Sequence, residues 1–310
     1  MIKLLTVCEA DWCNVGFNVA KALRTVGVNA ESIKSCKHNF GYSEESRIVN
    51  HSVMLEEIRA ADIVFIMNSN LLCLELCKRA DKKNIFVYHT GTNYRRNPEK
   101  YNLLFNPYVI QAFTDQTEFI GLGMKYEYYL FLPVNTEKIN PSTYDVNERI
   151  LFGHFPSNPT IKGTPIIRKA LQDLKKKYPD RVDFIIDEKI VSNDKQIERM
   201  NRCDVYVELF APLHEGNQYG CFGVTAMEAA ALGKIVITNH TTPEVYTRFY
   251  GRPTPFYIPQ TEIELAKDLF TLAQMPKEKI MQKKMETRQW AEQYHSFAAY
   301  GSFLKQLLNL

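Results

Sequence analysis

The 310-residue chain lacks several features that mark well-known classes of protein. No run of about 18 apolar residues is present, so the sequence predicts no membrane-spanning helix. The N-terminus has neither the long apolar segment nor the small-residue cleavage site of a signal peptide. The formal net charge is +3, which is too small by itself to indicate a nucleic-acid-binding protein.

The seven cysteines form no CxxC pair and no regular framework. An odd count with irregular spacing is typical of a reducing compartment, so we expect a cytoplasmic protein. Positive charge is concentrated at residues 175–177 and 277–284. These lysines are interpreted as solvated helix faces. The alternative is a weak peripheral contact with the inner face of a membrane or with a polyanionic acceptor.

Common nucleotide and metal motifs are also missing. The chain has no GxGxxG after its first predicted strand, no GxxxxGK[ST] and no HExxH. Its histidines and cysteines do not have the spacing of metal ligands, and no Asp-x-Asp pair ends a strand in the second half. We therefore expect no bound metal.

What the chain does contain is a regular alternation of strand and helix patterns. Short apolar runs, such as residues 62–67 and 84–88, alternate with helical patterns such as residues 51–60. Runs that are apolar throughout are typical of parallel strands buried on both faces. The polar segment 133–149 interrupts the alternation, which then restarts. This pattern predicts an α/β fold with two doubly wound, Rossmann-like domains. The predicted boundaries are residues 1–134, 135–293, and a terminal helix over 294–310 that packs back on the first domain.

The most informative segment, residues 220–238, reads GCFGVTAMEAAALGKIVIT. Its two leading glycines permit a tight loop before a helix of small residues. The N-terminus of that helix would offer free backbone N–H groups and a positive dipole end to a diphosphate. Glu228, about one turn into the helix, could accept hydrogen bonds from two ribose hydroxyls. The alternative is an ordinary glycine turn with Glu228 on the surface.

This segment resembles the donor-binding signature of the large retaining glycosyltransferase family 4, which includes sucrose synthases and bacterial lipopolysaccharide and mannosyl transferases. That signature has two glutamates separated by seven residues. Glu228 matches the second, which the resemblance implies binds the donor ribose. The first falls on Gly220, and the nearby Glu215 could partly substitute for it. The loop implied to contact the diphosphate consists of Phe222, Gly223, Val224 and Thr225.

A second match lies at residues 152–164, which read FGHFPSNPTIKGT. The stretch resembles a Pro-Ser-Asn…Lys-Gly-Thr loop found in part of the same family. The resemblance implies that Lys162, followed by Gly163, neutralises the donor diphosphate as a point charge. Many members carry an arginine five residues earlier, where this chain has Ser157. We include Ser157 among the candidate substrate-binding residues. A solvated lysine before a helix is the alternative.

In the first half, residues 84–96 read NIFVYHTGTNYRR, a buried strand followed by a histidine, a glycine and two arginines. Ligands of open α/β sheets bind at the carboxyl ends of strands. A His-x-Gly segment here lies in the interdomain cleft of the family, so the resemblance implies that His89 contacts the donor sugar. His89 is our candidate catalytic residue, and a structural loop histidine is the alternative. Arg95 and Arg96 face either an anionic acceptor or solvent.

The turn after the first strand occupies the position of the family's first glycine loop, between donor and acceptor. Gly16 matches that loop, although the usual double glycine is missing. Trp12, in the same turn, is either a platform for the acceptor or a core residue.

The resemblance implies a GT-B glycosyltransferase that moves a sugar from a nucleotide-diphosphate sugar to a hydroxyl acceptor. It further implies retention of configuration, with no metal and no cofactor besides the donor. We expect a glycan or glycolipid acceptor in preference to a hydroxymethylated base of viral DNA. Two alternatives stay open: a sugar-nucleotide epimerase on the same fold, and a non-catalytic binding or partner subunit. The departures at Gly220 and Ser157 keep the second alternative open.

Overall fold

The computed structural model describes residues 2–37, 40–214 and 216–310. Contacts between residues divide the chain into two units. Unit 1 comprises Met1–Pro133 and Tyr294–Leu310, and unit 2 comprises Val134–Gln293. Each unit is built of helices around a parallel sheet, which confirms the predicted α/β class.

Unit 1 contains a sheet of seven parallel strands. They are β1 (Lys3–Cys8), β2 (Asn29–Lys34), β3 (Arg47–Ile48), β4 (Ile63–Ile66), β5 (Ile85–His89), β6 (Gln111–Thr114) and β7 (Tyr128–Tyr129). The strand order is β3-β2-β1-β4-β5-β6-β7, so the chain winds from β1 to one edge and then returns to build the other. The middle strands β4 and β5 are buried at every position, as expected of apolar strands covered on both faces.

Among the described residues of unit 1, five α-helices connect these strands. They are α1 (Val15–Thr25), α2 (His51–Ala60), α3 (Leu71–Arg79), α4 (Gly91–Arg96) and α5 (Pro98–Phe105). Asparagine side chains begin two of them: Asn50 accepts from the backbone N–H of Val53, and Asn70 from that of Cys73, at 3.0 and 2.9 Å. The short helices α4 and α5 were not predicted from the sequence.

Unit 2 contains a sheet of four parallel strands in the order β13-β10-β8-β9. These strands are β8 (Ile150–His154), β9 (Val182–Ile186), β10 (Val205–Leu209) and β13 (Ile235–Thr238). Two short strands, β11 (Leu213–His214) and β12 (Asn217–Gln218), pair separately. The helices that follow are α6 (Thr164–Lys177), α7 (Asn193–Asn201), α8 (Val224–Ala231), α9 (Pro243–Tyr250), α10 (Glu262–Gln274) and α11 (Lys277–His295).

The last helix, α12 (Phe297–Leu307), packs against α1 within unit 1. The approach is close because both helices carry small residues at the contact: a Cβ atom at Gly301 would overlap the backbone carbonyl of Ala22. The Lys305 ammonium donates to the Val26 carbonyl at 3.3 Å. Across the described residues, no helix is both long and apolar enough to cross a membrane.

Candidate functional site

The loop after β8 brings Lys162 to the carboxyl end of the unit 2 sheet. It does so by a very close backbone approach. Gly163 has φ = +69°, and a Cβ atom there would overlap the carbonyl oxygen of Phe210. The Phe210 N–H in turn donates to the Lys162 carbonyl at 3.1 Å. Only glycine fits this position, so the Lys-Gly pair fixes the backbone that carries the lysine.

The Lys162 ammonium forms an ion pair with Glu208, which lies in β10 and is fully buried. Glu208 also accepts hydrogen bonds from the hydroxyls of Thr225, at 3.2 Å, and Thr238, at 3.0 Å. Burial by itself would lower the pKa of Lys162, but the adjacent Glu208 carboxylate outweighs it and the pKa is raised. The ion pair therefore favours the charged form of Lys162, and 19% of the lysine side chain remains exposed.

The N-terminus of α8 lies beside this ion pair. Gly223 is the N-cap residue, and no side chain caps the helix. In the described chain, the backbone N–H groups of Val224 and Thr225 donate to no protein acceptor. These N–H groups, the positive end of the helix dipole and the nearby Lys162 ammonium together form a site suited to an anion.

Glu228 is 5% exposed, which excludes the alternative that it is a surface residue. Asn193 of α7 donates to one carboxylate oxygen at 2.7 Å, and the other oxygen is buried without a hydrogen-bond partner in the described part of the chain. Burial raises the pKa of Glu228 to about 7, and the Asn193 hydrogen bond acts in the opposite direction. A buried carboxylate oxygen without a donor is unusual in a folded protein, and ligand hydroxyl groups would satisfy it.

Gly220, the position of the family's first glutamate, cannot carry a side chain in this backbone. Its φ is +149°, and a Cβ atom would overlap the Asn239 side chain. That asparagine accepts from the Ala211 N–H at 2.8 Å and donates to the Tyr219 carbonyl at 2.6 Å, which ties three loops together. Sequence reasoning did not identify Asn239. Glu215, considered as a substitute for the missing glutamate, lies outside the described residues.

Phe222 and Ser157 were also predicted to contact the donor, and one is buried while the other is exposed. Phe222 is fully buried, and its ring packs against His240 and Phe256 at centroid distances of 4.1 and 5.4 Å. Its side chain therefore anchors the loop in the core. Ser157 is exposed in the loop that follows β8.

His89 is the last residue of β5 and is fully buried. Its ring hydrogen-bonds the Ser69 hydroxyl at 2.9 Å, stacks on Tyr94 at 4.3 Å and meets the edge of Phe105 at 5.2 Å. Burial lowers the pKa of His89 to about 3, so the ring is neutral at physiological pH. Its Nε2 atom has no hydrogen-bond partner among the residues that the structure describes. The aromatic surroundings favour the structural alternative, and the catalytic assignment stays a prediction.

The N-terminus of α1 is closed by the side chain of Asp11. The N–H groups of Gly16 and Phe17 donate to its two oxygens at 2.8 and 2.9 Å, and the Ser46 hydroxyl donates at 2.7 Å. A Cβ atom at Gly16 would lie 3.1 Å from Met67 Cγ. Close packing against Met67 therefore favours glycine at position 16. The predicted substrate contact of Gly16 stays a prediction. Trp12 is 55% exposed, which excludes the core alternative.

Arg95 has protein partners in unit 1. Its guanidinium donates to Glu118 at 2.7 Å and to the Gln116 side chain at 3.0 Å, and it lies over the Phe119 ring.

Asp115, directly after β6, is a buried acid that sequence reasoning missed. Burial raises the pKa of Asp115 to about 7, although Gln116 donates to one carboxylate oxygen. The other oxygen has no hydrogen-bond partner within residues 2–37, 40–214 and 216–310. Among the residues that the structure describes, no group of three or more His, Cys, Asp or Glu side chains could hold a metal ion.

No protein-family model and no curated protein matches the sequence. Solved structures do match. HepE of Anabaena in complex with UDP is 15% identical, with a TM-score of 0.65 and all of both chains covered. An α-glucosyltransferase in complex with UDP and a 13-mer DNA containing an A:G mismatch is 12% identical, with a TM-score of 0.66 and coverage of 100% and 99%.

Sucrose-phosphate synthase from Thermosynechococcus elongatus is 10% identical, with a TM-score of 0.60 and coverage of 100% of this chain and 98% of that one. Identities this low establish the fold alone. The chain therefore has the two-Rossmann-unit fold of GT-B glycosyltransferases, as predicted.

Proposed function

We propose that this protein is a glycosyltransferase that moves a sugar from a UDP-sugar to a hydroxyl acceptor. The observation that carries the proposal concerns Glu228 and the helix α8. Among the described residues, one buried oxygen of Glu228 has no hydrogen-bond partner, and the first N–H groups of α8, one turn earlier, have no protein acceptor. A nucleoside diphosphate satisfies both features at once. Its phosphates accept from the α8 N-terminus, and its ribose hydroxyls donate to Glu228. UDP is chosen because it is the nucleotide bound in HepE and in the α-glucosyltransferase.

In this reaction, the bond between the anomeric carbon and the diphosphate oxygen breaks, a new bond to the acceptor oxygen forms, and the proton of the acceptor hydroxyl passes to the departing diphosphate. Negative charge develops on the departing diphosphate. Lys162 stabilises this charge as a nearby cation, and the α8 N-terminus contributes fixed N–H dipoles. Stabilisation of the leaving group by Lys162 and by the α8 N–H groups requires no metal ion. We further propose that configuration is retained, as the resemblance of the donor-binding segment implies.

The acceptor is proposed to be a glycan or glycolipid. Support comes from the small net charge of +3, because affinity for DNA depends on neutralising many phosphates. A weak contact with an anionic membrane surface is proposed for the exposed lysines at the end of α6, of which Lys176 is 80% exposed. Lys284 takes no part in it, since it is buried in an ion pair with Asp204 at 3.0 Å.

Calorimetric titration with UDP tests the donor site. Loss of a charge-assisted hydrogen bond typically weakens binding by about 1.5–3 kcal/mol. Lys162→Ala and Glu228→Ala should therefore each weaken UDP binding by roughly tenfold or more. Lys176→Ala, an exposed lysine of α6, is the matched control and should bind UDP normally. Wild-type affinity in both site variants, or no UDP binding by the wild type, would refute the assignment.

UDP release from a panel of UDP-sugars tests the enzyme activity. A glycosyltransferase releases UDP slowly by hydrolysis and faster when its acceptor is added. A product with a new glycosidic bond separates transfer from epimerisation. A protein that binds UDP tightly but releases none from any donor or acceptor would be the non-catalytic subunit.

A further inference from the structure

A fully buried carboxylate, that of Glu208, lies directly beneath the anion site of unit 2. Its three partners are the Lys162 ammonium and the hydroxyls of Thr225 and Thr238. Only one of these partners is a cation. The Lys162–Glu208 pair is therefore neutral as a whole, although the proposed ligand carries a diphosphate.

The glycine loop is shaped around this carboxylate. A Cβ atom at Gly223 would lie 2.5 Å from Glu208 Oε1 and 3.5 Å from the Lys162 nitrogen. Any larger residue would displace the carboxylate. The absence of a side chain at position 223 thus lets a protein anion approach the positive end of α8, where the diphosphate is proposed to bind.

We propose that Glu208 competes with the diphosphate for the ammonium of Lys162 and so limits how tightly the nucleoside diphosphate is held. The inference rests on the proposed function, since it requires a diphosphate at Lys162. Two anions share one cation, and the buried one is poorly screened by solvent. When the diphosphate binds, Lys162 must divide its hydrogen bonds between the ligand and Glu208.

A weakly held leaving group has a functional consequence. The UDP product leaves the same site in every cycle, and product release limits the turnover of many enzymes. Glu208 is a positioning residue in this proposal. Between cycles, its ion pair holds the Lys162 ammonium beside the α8 N-terminus. After the transfer, Glu208 competes with the UDP product for the hydrogen bonds of Lys162, which favours release of UDP.

Glu208→Gln tests the competition because it keeps the size of the side chain and a hydrogen-bond acceptor, and removes the charge. Calorimetry with UDP and with uridine, which has no phosphate, should show UDP binding about tenfold tighter and uridine binding unchanged. In the Lys162→Ala background, the same substitution should have a much smaller effect on UDP. A purely structural role of Glu208 predicts weaker binding of both ligands. Unchanged or weaker UDP binding by folded Glu208→Gln would overturn the proposal.

Thr238→Val provides a second test if Glu208→Gln fails to fold. The change removes the hydroxyl that donates to Glu208 at 3.0 Å and leaves the charge in place, so the carboxylate depends more on Lys162. UDP binding should weaken about threefold, with uridine unchanged. Equal loss for both ligands, or no change for UDP, would contradict the proposal. Failure of the wild type to bind UDP would instead refute the proposed function.

Discussion

Two helices of this protein have a glycine at their N-terminus, near the carboxyl end of a parallel sheet: Gly16 is the second residue of α1, and Gly223 is the N-cap of α8. The N–H groups in their first turns have opposite surroundings. In α1, the N–H groups of Gly16 and Phe17 are bound by Asp11. In the described part of α8, the first two N–H groups, those of Val224 and Thr225, donate to no protein acceptor. A glycine at a helix N-terminus therefore does not by itself identify an anion site. The deciding feature is whether a protein side chain already accepts hydrogen bonds from these N–H groups.

The two helix ends also differ in what surrounds them. Asp11 is satisfied on both oxygens by the α1 backbone and the Ser46 hydroxyl. At α8 the nearby carboxylates are those of Glu208, which is paired with Lys162, and Glu228, which has one unsatisfied oxygen. At the α1 end, the protein itself satisfies these hydrogen-bonding groups. At the α8 end, the N–H groups and one oxygen of Glu228 would be satisfied by a ligand. This contrast supports an assignment of the nucleotide to unit 2.

The largest effect on stability is expected from Asp11→Ala. Loss of a buried carboxylate that accepts three hydrogen bonds should destabilise unit 1 by about 2–4 kcal/mol, since the N–H groups of Gly16 and Phe17 and the Ser46 hydroxyl all lose their acceptor. Thermal unfolding should show a clear drop in the melting temperature. Affinity for UDP in the folded protein should change less than twofold. Glu56→Ala, which removes an exposed acid of α2, is the control. A folded Asp11→Ala variant that lost UDP binding would assign the donor to α1 instead.

The second prediction compares the same substitution at the two glycines. Gly223→Ala places a Cβ atom 2.5 Å from the Glu208 carboxylate, whereas Gly16→Ala places one 3.1 Å from the flexible Met67 side chain. Gly223→Ala should weaken UDP binding by roughly tenfold or more, because the α8 N-terminus or Lys162 must shift. Gly16→Ala should lower the melting temperature and leave UDP affinity within about threefold. Equal losses of UDP affinity would remove the distinction between the two helix ends.

Much of this arrangement could be predicted from the sequence, because it depends on local patterns. The apolar runs marked the buried strands, and the Gly-to-helix pattern located α8 and Glu228. Glu208 could not be found in this way. It lies inside the strand Val205–Leu209, and its partner Lys162 is 46 positions away in the sequence. Contacts of that separation are set by strand order, which no local pattern contains.

The burial of His89 was missed for a related reason. The strand before it was predicted, and we expected its side chain at the edge of the sheet. The residues that enclose it, Tyr94 and Phe105, lie in the short helices α4 and α5, which were not predicted. Helices of six and eight residues give too little periodicity to recognise. The only strong local signal was Pro98 at the first turn of α5.

The third prediction uses the titration of Glu228. Its pKa is raised to about 7, and the ionised form accepts stronger hydrogen bonds from ribose hydroxyls than the neutral acid does. The Glu228 contribution to UDP affinity should therefore rise up to about tenfold between pH 6 and pH 8. Glu228→Gln should lack this increase, and it also serves as the control for titration of UDP itself. A wild-type profile parallel to that of Glu228→Gln would show that Glu228 does not contact the nucleotide.

The same pKa shift predicts how stability depends on pH. The folded-state pKa of Glu228 lies above its ordinary value of 4.5, so the folded protein binds the proton more tightly than the unfolded chain. The resulting stabilisation is full below pH 4.5 and disappears as the pH rises through 7. Glu228→Gln should therefore melt at a higher temperature than the wild type at pH 8, and the difference should shrink near pH 4. A constant difference would contradict the raised pKa.

The smallest effect is expected from removal of divalent metal. Mg²⁺ and Mn²⁺ require several oxygen ligands, and the two helix ends offer few. Asp11 has both oxygens engaged by the protein, and Glu228 has one oxygen without a partner. In the proposed reaction, Lys162 and the α8 N-terminus carry the charge of the leaving diphosphate. UDP release from a UDP-sugar should therefore change less than about twofold in EDTA, while Lys162→Ala should lower it much further under both conditions. Complete loss of UDP release in EDTA, restored by Mg²⁺ or Mn²⁺, would mean that a metal ion and not Lys162 stabilises the leaving group.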